Sequence, residues 1–135
     1  MFQKVCIIGC GLIGSSIARA IKKHKLSNKI VSSNRSKITN KKVIQLNIVN
    51  DSSSDTRKMV KGSDLVIIAT PLSSYKKVIL KIKSVLKNGA ILTDVGSVKE
   101  KVIYLIEKNL PKNVSWISSH PISGTEESGP EAGFA

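Results

Sequence analysis

Aromatic side chains are scarce in this sequence, at 4% of 135 residues, and arginine is found only at Arg19, Arg35 and Arg57. Proteins that grip nucleic acid interleave both residue types with their other bases. Their scarcity argues against nucleic-acid partners, although the formal net charge is +13. Cysteine is sparse too. Cys6 and Cys10 are the whole supply, so no disulfide framework beyond one close pair is possible. No second cysteine pair or neighbouring histidine completes a zinc site, and no metal is expected. Reduced thiols in a cytoplasmic protein are the expectation. No stretch is apolar for long enough to span a bilayer, which argues against a membrane protein. Residues 5–18 follow Lys4 in the manner of a secretory leader, but Gly9, Gly11 and Gly14 interrupt them and no convincing cleavage site follows.

What is present suits a soluble globular domain. Hydrophobic residues make up 41% of the chain, enough for a real core at this length. Basic residues outnumber acidic ones 22 to 9, and nearly all are lysines. Lys76, Lys77, Lys81, Lys83 and Lys87 sit in one helical pattern and read as a solvated face. A polyanion-binding role would rest on charge alone. His24, in "KKHK", reads as solvated.

Apolar periodicity predicts alternating strands and helices. Strands are expected over residues 4–8, 29–33, 65–69, 90–94 and 115–119. Helices are expected over 12–25, 37–46, 72–87 and 98–110. The first should turn Leu12, Ile13, Ile17 and Ile21 inward. The third should bury Leu72, Tyr75, Ile79, Ile82 and Leu86, and the last Val102, Leu105 and Ile106. Residues 47–62 are polar and carry no clear period. Continuous apolar strands alternating with amphipathic helices imply a mostly parallel, doubly wound α/β sheet covered on both faces, in a single domain.

Gly9-x-Gly11-x-x-Gly14 leaves the first strand and opens the first helix, the context a dinucleotide fingerprint needs. Gly9 would permit the tight turn and Gly11 would let the backbone approach a pyrophosphate. Gly14 would let helix and strand pack closely. Leu12 and Ile13 begin the helix, whose unpaired N–H groups and positive dipole end suit phosphates. The expected fold is therefore Rossmann-like. The fingerprint also calls for an acidic residue about 20 positions on, to hold the ribose 2′-hydroxyl. The sequence there reads Asn34, Arg35, Ser36. Asn34 does not repel a 2′-phosphate, and Arg35 and Ser36 can donate to one, so NADP is favoured over NAD. Ser36 as a helix cap beside a solvated Arg35 is the plainer reading, and both can hold together.

Three more motifs follow predicted strands and so share one sheet edge with the glycine loop. They are "ATP" with Thr70 and Pro71, "TDVGSVK" with Ser97, and "SHPISG" with His120. Ligands of open α/β sheets bind at that carboxyl edge. Each has a bland account. Thr70 and Pro71 make an ordinary N-cap and N1 pair, and Ser97 with Glu100 makes a capping box. Their convergence favours a site. His120, followed by proline and a Ser-Gly turn, is a candidate base for a hydroxyl, or else a loop histidine bonded to backbone.

"GCGLIGSSIARAIKK", "ATPLSSY", "TDVGSVK" and "SHPISGTEESGPEAGFA" together resemble the amino-terminal domain of the prephenate dehydrogenase family, which includes arogenate and cyclohexadienyl dehydrogenases. The resemblance runs in order through the whole chain. It implies NAD(P)-dependent oxidative decarboxylation of prephenate to 4-hydroxyphenylpyruvate, or of arogenate to tyrosine, in tyrosine biosynthesis. It implies that His120 takes the ring-hydroxyl proton, that Ser97 orients the histidine, and that Glu126 lies by the pocket entrance. NAD-dependent relatives usually carry aspartate where Asn34 stands. Members of the family continue into a helical domain that forms a homodimer and supplies an arginine for the substrate carboxylates. The chain stops at Ala135, so a truncated or partial product is expected, without turnover of its own. The alternative is a module that binds NADP and nothing more.

Overall fold

Along the first strand, Val5 and Ile7 enter one core and Cys6 and Ile8 another, and all of them are at most 3% exposed. A strand buried on both sides needs helices on both sides, which crossover connections in a parallel sheet supply. The computed structural model describes residues 1–96 and 99–118. Its elements are β1 (Phe2–Ile8), α1 (Leu12–Lys23), β2 (Ser27–Ser33), α2 (Lys37–Gln45), β3 (Asp51–Ser53), α3 (Thr56–Val60), β4 (Leu65–Ile68), α4 (Tyr75–Ile82), β5 (Ile91–Asp94), α5 (Lys99–Asn109) and β6 (Ser115–Ser118). A 3-10 turn over Leu72–Ser74 leads into α4.

All pairings are parallel, in the order β3-β2-β1-β4-β5-β6. The chain runs outward from β1 to β3, crosses back, and runs outward again from β4 to β6. The reversal lies between β1 and β4, and a crevice opens there at the carboxyl ends of the strands. One core joins β1, β4 and β5 to α3, α4 and α5 through Cys6, Ile68, Leu92, Ile79 and Ile106. The other joins β1 and β2 to α1 and α2 through Val5, Ile7, Ile30, Ala18 and Val43. Each fully buried aliphatic side chain contributes about 1.5–3 kcal/mol relative to exposure.

Several sequence expectations need correction. Helix α1 buries Gly14, Ser15, Ala18 and Ile21, whereas Leu12, Ile13 and Ile17 are only half-buried. The first part of its inner face is made of small residues because the helix start presses against the glycine turn. It ends at Lys23, not residue 25, in a Schellman motif. Leu26 N–H donates to Ile21 O at 3.0 Å, and Lys25 sits at φ 53°. The unassigned stretch 47–62 contains β3 and α3, too short and polar to show a period. Asp55 caps α3 by accepting from Lys58 N–H at 3.2 Å.

The helix expected over 72–87 is shorter, ending at Ile82. Val85 N–H donates to Ile82 O at 2.9 Å, and this tight turn carries Val85 and Leu86 back onto the core. Tyr75, Ile79 and Ile82 are buried as expected, while Leu72 and Leu86 are partly so. In α5, Val102 and Ile106 are buried and Leu105 is partly so. Ala90 belongs to the turn before β5, donating its N–H to Lys87 O at 3.0 Å. Residues 98 and 119, expected to begin α5 and end β6, lie outside the described residues. So do Ser97, His120 and Glu126.

Candidate functional site

The glycine loop is built from the end of β1. Gly9 N–H donates to Ser33 O at 2.9 Å and Ala69 N–H donates to Ile8 O at 2.8 Å, so strands on both sides hold the turn. Gly9 sits at φ +96°, and a Cβ there would lie 2.9 Å from Ala69 O. A Cβ on Gly14 would lie 2.0 Å from Gly9 O. Packing within the chain therefore explains both of these glycines.

Gly11 is different. Its φ of −78° suits any residue, and a Cβ there would meet nothing within 4 Å. No requirement of the fold explains glycine at this position. It is the N-cap of α1, where no side chain caps the helix and no acidic residue occupies the first turn. The helix start thus presents backbone donors and a positive dipole end beside open space, an arrangement that fits a phosphate approaching the backbone.

Above this loop lies a cleft of about 440 Å³. Of the residues expected to hold a cofactor, Gly9, Gly11, Asn34, Arg35, Ser36, Thr70 and Pro71 line it. Leu12, Ile13 and Gly14 do not. Asn34 lines the cleft, but its polar atoms are engaged by the protein. Its Oδ1 accepts from Cys10 N–H at 2.6 Å and its Nδ2 donates to Asn40 Oδ1 at 2.9 Å. Asn40 in turn donates to Asn34 O and Ser54 Oγ, and accepts from Ser52 Oγ at 2.6 Å. Ser36 is the N-cap of α2, accepting from Thr39 N–H at 3.2 Å, which leaves its own hydroxyl proton able to donate. Arg35 is exposed beside it.

Thr70 departs from the capping role expected of it. Pro71 precedes the 3-10 turn, α4 begins only at Tyr75, and Thr70 Oγ1 is buried with no hydrogen-bond partner among the described residues. An unpartnered buried hydroxyl is costly, and it belongs to a residue of the cleft wall.

The β5 end of the same edge is held by Asp94, which is fully buried. Its Oδ2 accepts from Gly96 N–H at 2.7 Å and from the Tyr75 hydroxyl at 3.0 Å. Burial, and then the adjacent carboxylate, hold the Tyr75 phenol well above its ordinary pKa. Burial likewise pushes the Cys6 thiol up to about 12 and the Cys10 thiol up to about 11, with a Ser32 hydrogen bond opposing the shift at Cys10. Both cysteines are free. Among the described residues no group of three or more His, Cys, Asp or Glu side chains could hold a metal, and no helix is long and apolar enough to cross a membrane.

Sequence reasoning missed Thr39, Ser54, Thr56, Lys77 and Lys81, which also line the cleft. The i, i+4 spacing of the two lysines showed that they share a face, but not that this face borders the cleft. Lys87, from the same expected solvated face, instead pairs with Asp64 at 2.5 Å.

Strand order, glycine loop and carboxyl-edge cleft define a nucleotide-binding α/β domain of the Rossmann class. Residues 17–135 match the prephenate dehydrogenase nucleotide-binding domain, and the chain belongs to that family. It is 36% identical over 135 residues to a cyclohexadienyl dehydrogenase of Zymomonas mobilis, covering 100% of this chain and 46% of that protein. It is 35% identical over 129 residues to a prephenate dehydrogenase of Lactococcus lactis, covering 94% of this chain and 36% of that one. The structure of prephenate dehydrogenase from A. aeolicus, in complex with hydroxyphenyl propionate and NAD+, superposes with a TM-score of 0.87 at 29% identity. That match covers 97% of this chain and 46% of the other. The chain thus spans about half the length of these relatives or less.

Proposed function

We propose that this chain is the cofactor-binding half of an NAD(P)-dependent prephenate or arogenate dehydrogenase. The observation that carries the reading is Gly11, a glycine required by neither backbone conformation nor packing, at an uncapped helix start beside the cleft. The unpartnered Thr70 hydroxyl supports it. The A. aeolicus relative, whose structure contains NAD+ and a hydroxyphenyl compound, supports it independently.

The reaction is oxidative decarboxylation. The ring carbon bearing the hydroxyl loses hydride, carbon dioxide leaves, and the ring becomes aromatic. Nicotinamide, when bound, supplies the hydride acceptor. The residues of this chain divide the remaining work. The glycine loop and the α1 N-terminus bind the pyrophosphate, and Thr70 and Pro71 form part of the cleft wall. His120 takes the hydroxyl proton, Ser97 orients His120, and Glu126 stands at the pocket entrance; these roles rest on the family resemblance. The whole protein works as a cytoplasmic homodimer, with the substrate carboxylates held by the half outside these 135 residues. The 135 residues alone bind cofactor without turnover.

The cofactor favoured is NADP. Arg35 and Ser36 line the cleft just after β2 and can donate to a 2′-phosphate, and Asn34 brings no negative charge. Charge-assisted hydrogen bonds of this kind contribute roughly 1.5–3 kcal/mol. Calorimetry of the chain with NADP and with NAD tests this directly. Tighter binding of NADP is expected, and tighter binding of NAD would overturn the preference. Failure to bind either would overturn the cofactor reading itself.

A further inference from the structure

Among the described residues three cations line the cleft and no acidic residue does. Arg35 comes from the β2–α2 loop. Lys77 and Lys81 come from α4, packed on the other side of the crevice. The two lysines are one turn apart, about 6 Å along the helix axis, so their flexible stems can converge on one anion. Both are exposed. The hydroxyl-bearing Ser36 and Thr56 line the same cleft.

This is more positive charge than a diphosphate needs at the α1 N-terminus, where backbone donors and the helix dipole already provide for it. We infer that Lys77 and Lys81 are specificity-determining residues. They face Arg35 across the cleft as the second cationic wall of the subsite for the adenosine 2′-phosphate, and so set the preference for the phosphorylated dinucleotide. The inference rests on the cofactor reading above but assigns the discrimination to a different element. A loop arginine alone would contact one side of the phosphate. Lysines on a helix reach it from the opposite side and make the preference sensitive to salt.

The test compares the unmodified chain, Arg35→Ala and the double variant Lys77→Gln/Lys81→Gln by calorimetry. The probes are NADP, NAD, 2′,5′-ADP and 5′-AMP. Circular dichroism melting checks that the exposed lysine substitutions leave the fold intact. We expect the double variant to weaken NADP and 2′,5′-ADP about ten-fold, or 1.4 kcal/mol, while NAD and 5′-AMP change less than about two-fold. Raising the salt concentration should shrink the NADP advantage of the unmodified chain more than that of the variant. Equal losses for NADP and NAD would overturn the inference, because the lysines would then serve the shared diphosphate. Unchanged affinities for all four probes would overturn it too and return the lysines to solvent. In either case a surviving NADP preference in the unmodified chain, lost in Arg35→Ala, would leave the cofactor reading standing. An unmodified chain that binds 2′,5′-ADP no better than 5′-AMP would sink both.

Discussion

The side-chain oxygen of Asn34 accepts a hydrogen bond from the Cys10 N–H at 2.6 Å, tying the end of β2 to the glycine loop. The amide nitrogen points the other way, donating to Asn40 Oδ1 at 2.9 Å. Asn34 is therefore a strut of the loop as well as a residue of the cleft wall. Asn34→Asp places an acceptor against an acceptor, and relief requires the Asn40 amide to flip. That flip breaks its donation to Asn34 O and Ser54 Oγ. The variant should lose roughly 1–3 kcal/mol of stability. Its carboxylate should also flatten or reverse the proposed preference for NADP. Chemical denaturation and calorimetry on the same sample check both, and an unchanged denaturation midpoint would contradict the strut role.

Gly11 and Gly14 separate binding from packing. Gly11→Ala adds a methyl group where nothing lies within 4 Å and where φ is ordinary, so stability should fall by no more than about 1 kcal/mol. Affinity for the dinucleotide should drop by about ten-fold or more, since the methyl group occupies the approach of the phosphate. Gly14→Ala forces a Cβ to 2.0 Å from a backbone oxygen. It should destabilise by about 3 kcal/mol or more, whether or not ligand is present. Melting and binding curves for the two variants should rank in opposite orders.

Asp64 fastens the amino-terminal edge of the sheet. Its carboxylate accepts from Gln3 N–H at 2.7 Å and Lys4 N–H at 3.1 Å and pairs with Lys87. The Lys87 hydrogen bond, followed by the backbone ones, holds its pKa below the ordinary value. A depressed carboxyl pKa contributes stability that is fully present above the unfolded value of about 3.9 and is lost as pH falls through the folded value. Asp64→Asn should therefore lower Tm by about 2–5 °C at pH 7, a modest figure because the pair is partly exposed. The difference should close as pH drops below the ordinary aspartate range. A gap that persists unchanged at acid pH would place the effect in packing instead.

The alternation of strands and helices was legible because parallel strands are apolar on both faces and their helices are amphipathic. Ile67 and Ile79 announce themselves by composition and spacing. Gly9 and Gly14 were legible because backbone geometry and packing leave few alternatives there, and Gly11 because it completes the spacing of the fingerprint. What escaped was set by neighbours distant in sequence. The small residues at the start of the inner face of α1 follow from Gly14 meeting Gly9 O; the apolar spacing pointed correctly to Ile21 but not to Leu12 or Ile13. Short β3 takes its pairing from β2, not from any period of its own. Thr70 looked like a cap because proline follows it; only the position of α4 shows its hydroxyl unused. Lys77 and Lys81 are indistinguishable by sequence from Lys76 and Lys83, and the fold alone brings them to the cleft.

The proposed role of His120 rests on the family motif. As hydride leaves the ring carbon, the hydroxyl on that carbon must lose its proton, and a base within hydrogen-bond reach lowers the barrier. Such a base typically contributes about 10²–10⁴-fold in rate. In the proposed division of roles the glycine loop holds the pyrophosphate and His120 does not. In a chain extended to the full length of its relatives, His120→Asn should remove most turnover and leave NADP affinity nearly unchanged. Imidazole acts as a base only when neutral, so the unmodified enzyme should lose activity as pH falls through the histidine range, and the variant should lack that acidic limb. Ser97→Ala is the companion variant. It should lower turnover less severely if Ser97 orients the imidazole, and should lower chiefly thermal stability if capping the helix is its whole role. A His120→Asn enzyme that keeps most of its rate at neutral pH would remove His120 from the chemistry and leave the proton to another base.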